Sequence, residues 1–300
     1  MMNDDTGDGT RSGLTDGLEV VAEYGCVTGE GPLWHPEEER LYWVDIPKGR
    51  LYRYEPATDS HERCHDGRPI GGFTLEADGA LLLFRDQGTV TRWMDGRTRV
   101  VADLPDEGHT RFNDVVADPE GRVFAGTMPT EDQLGRLYRF DPGGSYTILN
   151  HDLDLPNGMS FTPDRTTLYL SVSDQCRVYR YDYDESTGVL ANRTTFLDLD
   201  GSGVPDGLTV DTDGFVWVAR WNGGRIERYA PDGELTRTME IFVERPSSMA
   251  FSGTRYDDLY ITSARGEDND TDRKVAGALF RTQPGHIGRP EFRSRVAMRE

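Results

Sequence analysis

The chain has 300 residues, 53 acidic against 33 basic, and a formal net charge of −20. That balance argues against nucleic acid and anionic membranes as partners, since both would repel it. Only Lys48 and Lys274 are lysine. An acidic surface with arginine favoured over lysine suits a protein dissolved in concentrated salt, where screening removes self-repulsion, so a halophilic source is expected.

Residues 1 to 17 are rich in Asp, Gly and Thr with almost no apolar content. They cannot bury enough surface to offset ordering entropy and read as a disordered tail, leaving residues 18–300 as one domain. No apolar run has the length of a signal peptide or a membrane span, so the expected compartment is the cytoplasm. Leu18 to Tyr24 (LEVVAEY) reads as a first strand.

A two-strand unit then recurs six times. Its first strands open at Leu41, Leu81, Val123, Leu168, Val216 and Leu259, at intervals of roughly 40 to 48 residues. Partner strands follow, among them Gly49-Arg50-Leu51-Tyr52-Arg53-Tyr54 and Gly135-Arg136-Leu137-Tyr138-Arg139-Phe140, alternating apolar and charged residues at period two. That period and alternation predict an all-β, six-bladed β-propeller with four-stranded antiparallel blades. Asp78-Gly79, Asp95-Gly96, Asp213-Gly214 and Asp232-Gly233 supply hairpin turns. A closed ring needs its two ends joined, so Leu18–Tyr24 is expected to complete the blade that holds Leu259 to Ala264.

Ten or eleven residues before the six first strands stand Glu30, Gly71, Asn113, Asn157, Asp206 and Ser248, flanked by turn-like Gly and Pro. Equivalent repeat positions lie at equivalent heights around a propeller channel, so these groups are expected at one mouth. Carboxylates, carboxamides and a hydroxyl converging there would repel and lose solvation unless a ligand satisfied them. An all-oxygen set points to a hard divalent cation such as calcium, magnesium or manganese, with zinc or iron(II) as alternatives. Gly71 and Gly72 leave one side of the mouth without side chains, and substrate is expected to enter there.

These segments resemble the gluconolactonase and regucalcin family of six-bladed propellers over roughly residues 18 to 290. The resemblance rests on Gly29-Glu30-Gly31-Pro32-Leu33-Trp34, Arg111-Phe112-Asn113-Asp114, Gly126-Thr127-Met128, Pro156-Asn157-Gly158-Met159, Pro205-Asp206-Gly207 and Asn222-Gly223-Gly224-Arg225. It implies that Glu30, Asn157 and Asp206 hold one divalent metal ion, and that Arg111, Asn113 and Glu131 line a substrate pocket beside Met128. Asp132 is the alternative to Glu131.

Other groups carry less. His61, Cys64 and His65 form the one His/Cys cluster but lie outside the channel phase, with at most three ligands. His35 reads as structural, and His109 is a secondary candidate for touching substrate. Cys26, Cys64 and Cys176 are odd in number and far apart, as free thiols are. No Gly-x-Ser-x-Gly elbow is present.

The expected function is therefore a metal-dependent hydrolase that opens a sugar lactone to the aldonic acid, with Asp206 as catalytic base and ligand. Arg111 would hold ring hydroxyls or developing charge. The partner is a small sugar lactone, and the chain is expected as a monomer or weak homo-oligomer. The alternatives are a phosphotriesterase-like hydrolase on the same scaffold and a non-catalytic propeller that binds calcium or a protein.

Overall fold

The computed structural model describes residues 17–266 and 275–297, so the expected disordered tail lies outside the described residues except for Gly17. Six four-stranded antiparallel sheets follow one another around a central channel. The inner strands are Gly29–His35, Ile70–Leu75, Phe112–Ala117, Pro156–Phe161, Val204–Val210 and Pro246–Ser252. The second strands are Arg40–Asp45, Leu81–Arg85, Val123–Thr127, Thr167–Val172, Val216–Trp221 and Asp258–Ser263, each starting within a residue of its sequence repeat. Among the described residues no helix is long and apolar enough to cross a membrane.

Position in the blade explains the patterning. A second strand is covered on both faces by neighbouring blades, and Leu81-Leu82-Leu83-Phe84-Arg85 is buried throughout. The outer strand Ser60–Asp66 faces solvent and carries charge. The glycines of the four predicted Asp-Gly turns all adopt positive φ, which a side chain would resist.

The ring closes as its two ends require. The strand Glu19–Ala22 pairs antiparallel with Leu279–Thr282 as the outermost strand of the sixth blade, with Glu19 opposite Arg281 and Val20 opposite Phe280. The outer edge of Leu279–Thr282 is thereby paired and not left for another chain to extend.

A feature without a sequence repeat lies at the other end of the channel. Residues 283–297 form a strap across the ring. Thr212 N–H donates to Ile287 O (2.9 Å), Gly288 N–H to Tyr256 O (2.8 Å), Ser294 N–H to Leu75 O (2.9 Å) and Arg295 N–H to Gly121 O (2.8 Å). Blades five, six, two and three are thereby tied to one segment. Above the strap is a chamber of about 60 Å³ whose lining includes Asp114, Ser248, Glu291 and Phe292.

Candidate functional site

The polar residues of the repeat owe their direction to a backbone irregularity. In every blade the register between inner and second strand shifts near the same position, between Glu30 and Leu33, Ile70 and Gly72, Phe112 and Val115, Pro156 and Met159, Pro205 and Leu208, and Pro246 and Ser248. An extra residue in one strand bends it and re-aims the side chains there. Asn113, Asn157 and Asp206 sit in these bulges, so the Pro-Asn-Gly and Pro-Asp-Gly triplets, turn-like in sequence, lie within strands.

Four of the six repeat positions meet in one cavity of about 400 Å³. Glu30, Asn113, Asn157 and Asp206 line it together with Arg111 and Met128. The other two do not. Ser248 lines the chamber below. Gly71 is a packing residue rather than a doorway, because a Cβ there would stand 1.9 Å from the Phe112 carbonyl oxygen. Glu131 and the alternative Asp132 are exposed on the loop after Met128 and are not among the lining residues, nor is the exposed His109.

Hydrogen bonds fix the groups across blade boundaries. Asn157 Nδ2 donates to Ser173 Oγ at 3.1 Å and, in a short contact, to Asp206 Oδ1. Ser173 Oγ donates in turn to Pro205 O (2.7 Å), next to Asp206. Both amide protons of Asn157 are thus committed, and its carbonyl oxygen has no protein donor among the described residues. Arg111 Nη1 donates to Asn113 Oδ1 and to Phe112 O, both at 2.9 Å, and Asn113 Nδ2 donates to Pro156 O (3.0 Å). Arg111 is therefore held as a pre-formed arm with part of its fork free.

Burial and carboxylate repulsion dominate the electrostatics of the site, and Arg111 offsets only part of them. Burial, then the neighbouring carboxylate of Asp206, pushes the Glu30 carboxyl well above its usual range. Burial, then Asp114, does the same to Asp206, although Asn157 and Arg111 pull it back. Burial brings Arg111 down to about 10 against the attraction of both carboxylates, so it stays protonated at neutral pH. Deeper in, Asp114 is raised to about 6 by burial, its bond from Val115 N–H lowering it and Glu291 raising it. What accessibility Asp114 has is to the chamber that it lines, so desolvation still dominates.

A hard cation fits this donor set: two buried carboxylates that hold protons too tightly, and an amide oxygen with no donor, all of them oxygen. Among the described residues no three His, Cys, Asp or Glu side chains converge, so such a site would depend on Asn157 as well as on Glu30 and Asp206.

The remaining sequence candidates have structural partners. His61 Nδ1 meets Tyr24 Oη at 2.9 Å, Cys64 Sγ donates to Leu51 O (3.5 Å), and His65 Nε2 lies 2.8 Å from Arg85 Nη2, so the cluster does not converge. His35 is buried; its Nδ1 accepts Glu38 N–H, which leaves Nε2 to donate to Gly79 O at 3.1 Å. All three cysteines are free.

Residues 28–265 match the model of the SMP-30/gluconolactonase/LRE-like region. The chain belongs to that family. It is 45% identical over 286 residues to pentonolactonase XacC of Haloferax volcanii, covering 93% of this chain and 98% of that one. To regucalcin of Xenopus laevis it is 33% identical over 278 residues, covering 88% and 93%. The crystal structure of a calcium-binding regucalcin from Agrobacterium tumefaciens superimposes with a TM-score of 0.87 at 28% identity, over 93% of this chain and 97% of that one.

Sequence reasoning missed much of the family member's cavity wall, namely Thr28, Ile46, Leu155, Ser173, Asp174, Val204, Trp221 and Asn222. A signal was available in a second repeat phase. Ile46, Met128, Ser173 and Trp221 each stand five residues past the start of a first-strand repeat, at Leu41, Val123, Leu168 and Val216.

Proposed function

We propose that the chain hydrolyses a sugar lactone to its aldonic acid in this cavity, with five-carbon lactones as the first substrates to test. The convergence of Glu30, Asn157 and Asp206 with Arg111 and Asn113 carries the reading, because it sets carboxylates and an amide oxygen beside a held guanidinium. The 45% identity to a pentonolactonase supports the choice of five-carbon rings.

Glu30, Asn157 and Asp206 would hold one divalent cation, which when bound supplies Lewis acidity at the lactone carbonyl. Asp206 takes a proton from the attacking water, whose oxygen forms the new bond to the carbonyl carbon. The ring C–O bond then breaks, and the ring oxygen leaves as a hydroxyl after receiving the proton that Asp206 had taken. The acid ionises and releases one proton per turnover. The free donors of Arg111 stabilise the charge that develops on oxygen, while Asn113, fixed by Arg111 and Pro156, keeps that arm in register. Met128 closes the apolar side, and Glu131 would reach the ring hydroxyls by movement of its loop. In this reading the protein works in the cytoplasm as a monomer or weak homo-oligomer on a small molecule, and its charge of −20 supports the absence of anionic macromolecular partners.

The test is a chelated sample to which calcium, magnesium, manganese, zinc and iron(II) are returned in turn. Proton release is followed with five- and six-carbon lactones and one phosphotriester. Metal-restored turnover of lactones supports the proposal. Turnover of the phosphotriester alone, or undiminished turnover after chelation, overturns it.

A further inference from the structure

Trp221 ends the second strand of blade five, opposite Val204 and outside Asp206 on the cavity wall. The sequence has five tryptophans. Trp34, Trp43, Trp93 and Trp217 are buried, and Trp221 alone is half-buried. Its indole N–H has no protein acceptor among the described residues and stays available to a ligand in the cavity.

The indole is held in place from behind. The Arg245 guanidinium lies over the ring, 5.9 Å from its centroid. Arg245 Nε donates to Asn222 Oδ1 at 2.9 Å and Nη1 to Arg265 O at 3.2 Å. Asn222, the next residue of the wall, has φ of 60°, a left-handed conformation that its bond to Arg245 helps to hold. One arginine therefore fixes both the aromatic ring and its polar neighbour. The polar grip of Arg111 and Asn113 comes from blade three, two blades round the ring.

A sugar lactone presents C–H bonds on its ring face and hydroxyls at its edge. A rigid aromatic with a free N–H matches both, giving apolar contact to the first and a hydrogen bond to the second at small entropic cost. We propose that Trp221 is the platform on which the sugar ring is seated, that its N–H donates to a ring hydroxyl, and that Arg245 is the positioning residue behind it. The inference rests on the lactonase reading for its substrate class and makes Trp221 a specificity-determining residue.

The solitary exposure of Trp221 gives it a spectroscopic signature. The metal-loaded full-length protein is titrated with xylonate, with gluconate, and with butyrate as an acid lacking hydroxyls, while indole emission is followed. Xylonate should shift the emission saturably in the wild type, butyrate should not, and Trp221→Phe should lose the response because its four remaining indoles are buried. In steady state, Trp221→Ala should raise KM for a five-carbon lactone about tenfold and Trp221→Phe about threefold, with kcat within about twofold of wild type. Arg245→Met should raise KM about threefold with kcat unchanged, the split expected of a residue that places a binding surface. An unchanged emission response in Trp221→Phe overturns the proposal, as does an unchanged KM in Trp221→Ala and Trp221→Phe. If lactones are not turned over while xylonate still reports through Trp221, the platform stands and the lactonase reading falls. Turnover with wild-type KM in both Trp221 variants means the reverse.

Discussion

Asp114→Asn should stabilise the metal-free protein, and only at neutral and alkaline pH. Burial raises the Asp114 carboxyl from 3.8 to about 6. Between those values the unfolded chain has lost the proton that the folded chain keeps. The folded state therefore binds more protons, and stability falls as pH rises through the interval. Above it the full difference is felt, about 3 kcal/mol at about 1.4 kcal/mol for each pH unit of displacement. Asp114 keeps partial exposure to the chamber that it lines, which lessens the difference, so the figure is an upper bound. Asparagine has the same shape, carries no charge, and its Oδ1 can still accept the Val115 N–H that Asp114 holds at 2.8 Å. With about 2 °C of melting temperature per kcal/mol for a chain of this size, the variant should melt up to about 6 °C above wild type at pH 8, and within about a degree of it at pH 4. Calorimetry of both proteins in chelator at the two pH values gives the answer as a difference of differences, in which groups that do not feel Asp114 cancel, while Glu30 and Asp206, relieved of its charge, add to the gain at pH 8. A gain that is equal at both pH values, or a variant that melts lower at pH 8, would refute the reasoning. Returning a divalent cation should shrink the gain, because a positive charge at Glu30 and Asp206 favours ionised Asp114.

Asp206→Asn should abolish nearly all lactone turnover and weaken metal binding while the circular-dichroism spectrum stays that of the wild type; wild-type rates at saturating metal would remove Asp206 from the chemistry. Arg111→Lys should lower kcat/KM by about tenfold or more, because a single ammonium nitrogen lacks the planar fork that holds Asn113 with one nitrogen and keeps the others aimed into the pocket; full activity would take Arg111 out of the pocket. Removing residues 1–24 should cost several kcal/mol relative to removing 1–15, through loss of buried Leu18 and Ala22 and of the Tyr24 ring stacked 4.2 Å from Tyr52. The comparison is a pair of thermal melts at fixed metal concentration, and equal midpoints would deny the outer strand its part in stability.

The blades were legible because a strand covered on both faces is largely apolar, as in Leu81-Leu82-Leu83-Phe84, and such strands recur at one period. The cavity was legible through phase, since Asn113, Asn157 and Asp206 sit in equivalent bulges and Glu30 borders a fourth. Phase alone could not say that Gly71 is small because Phe112 O presses against it, or that Ser248 turns into the chamber. Those outcomes depend on how closely neighbouring inner strands approach. Trp221 closes the second strand of blade five in a repeat phase of its own, away from the inner-strand phase that drew attention, and Asn222 lies just past it. Glu291 and Phe292 arrive on a strap with no periodicity, so nothing in their spacing announced that they would floor the channel.

The pairing of Glu19–Ala22 with Leu279–Thr282 also sets the order in which this molecule can be finished. The first strand leaves the ribosome about 260 residues before its partner. Blades one to five are each made of consecutive strands and can assemble as they emerge, whereas the sixth must wait for both termini. Until then the nascent chain carries an open seam with a bare strand edge, the kind of surface on which newly made proteins aggregate. Bringing such distant segments together makes the last step slow, so the yield of folded protein in a cell should depend on how long that seam is shielded. A rearranged gene that places residues 17–28 after the present C-terminus through a linker, so that every blade is contiguous, would remove the wait and leave the finished ring unchanged.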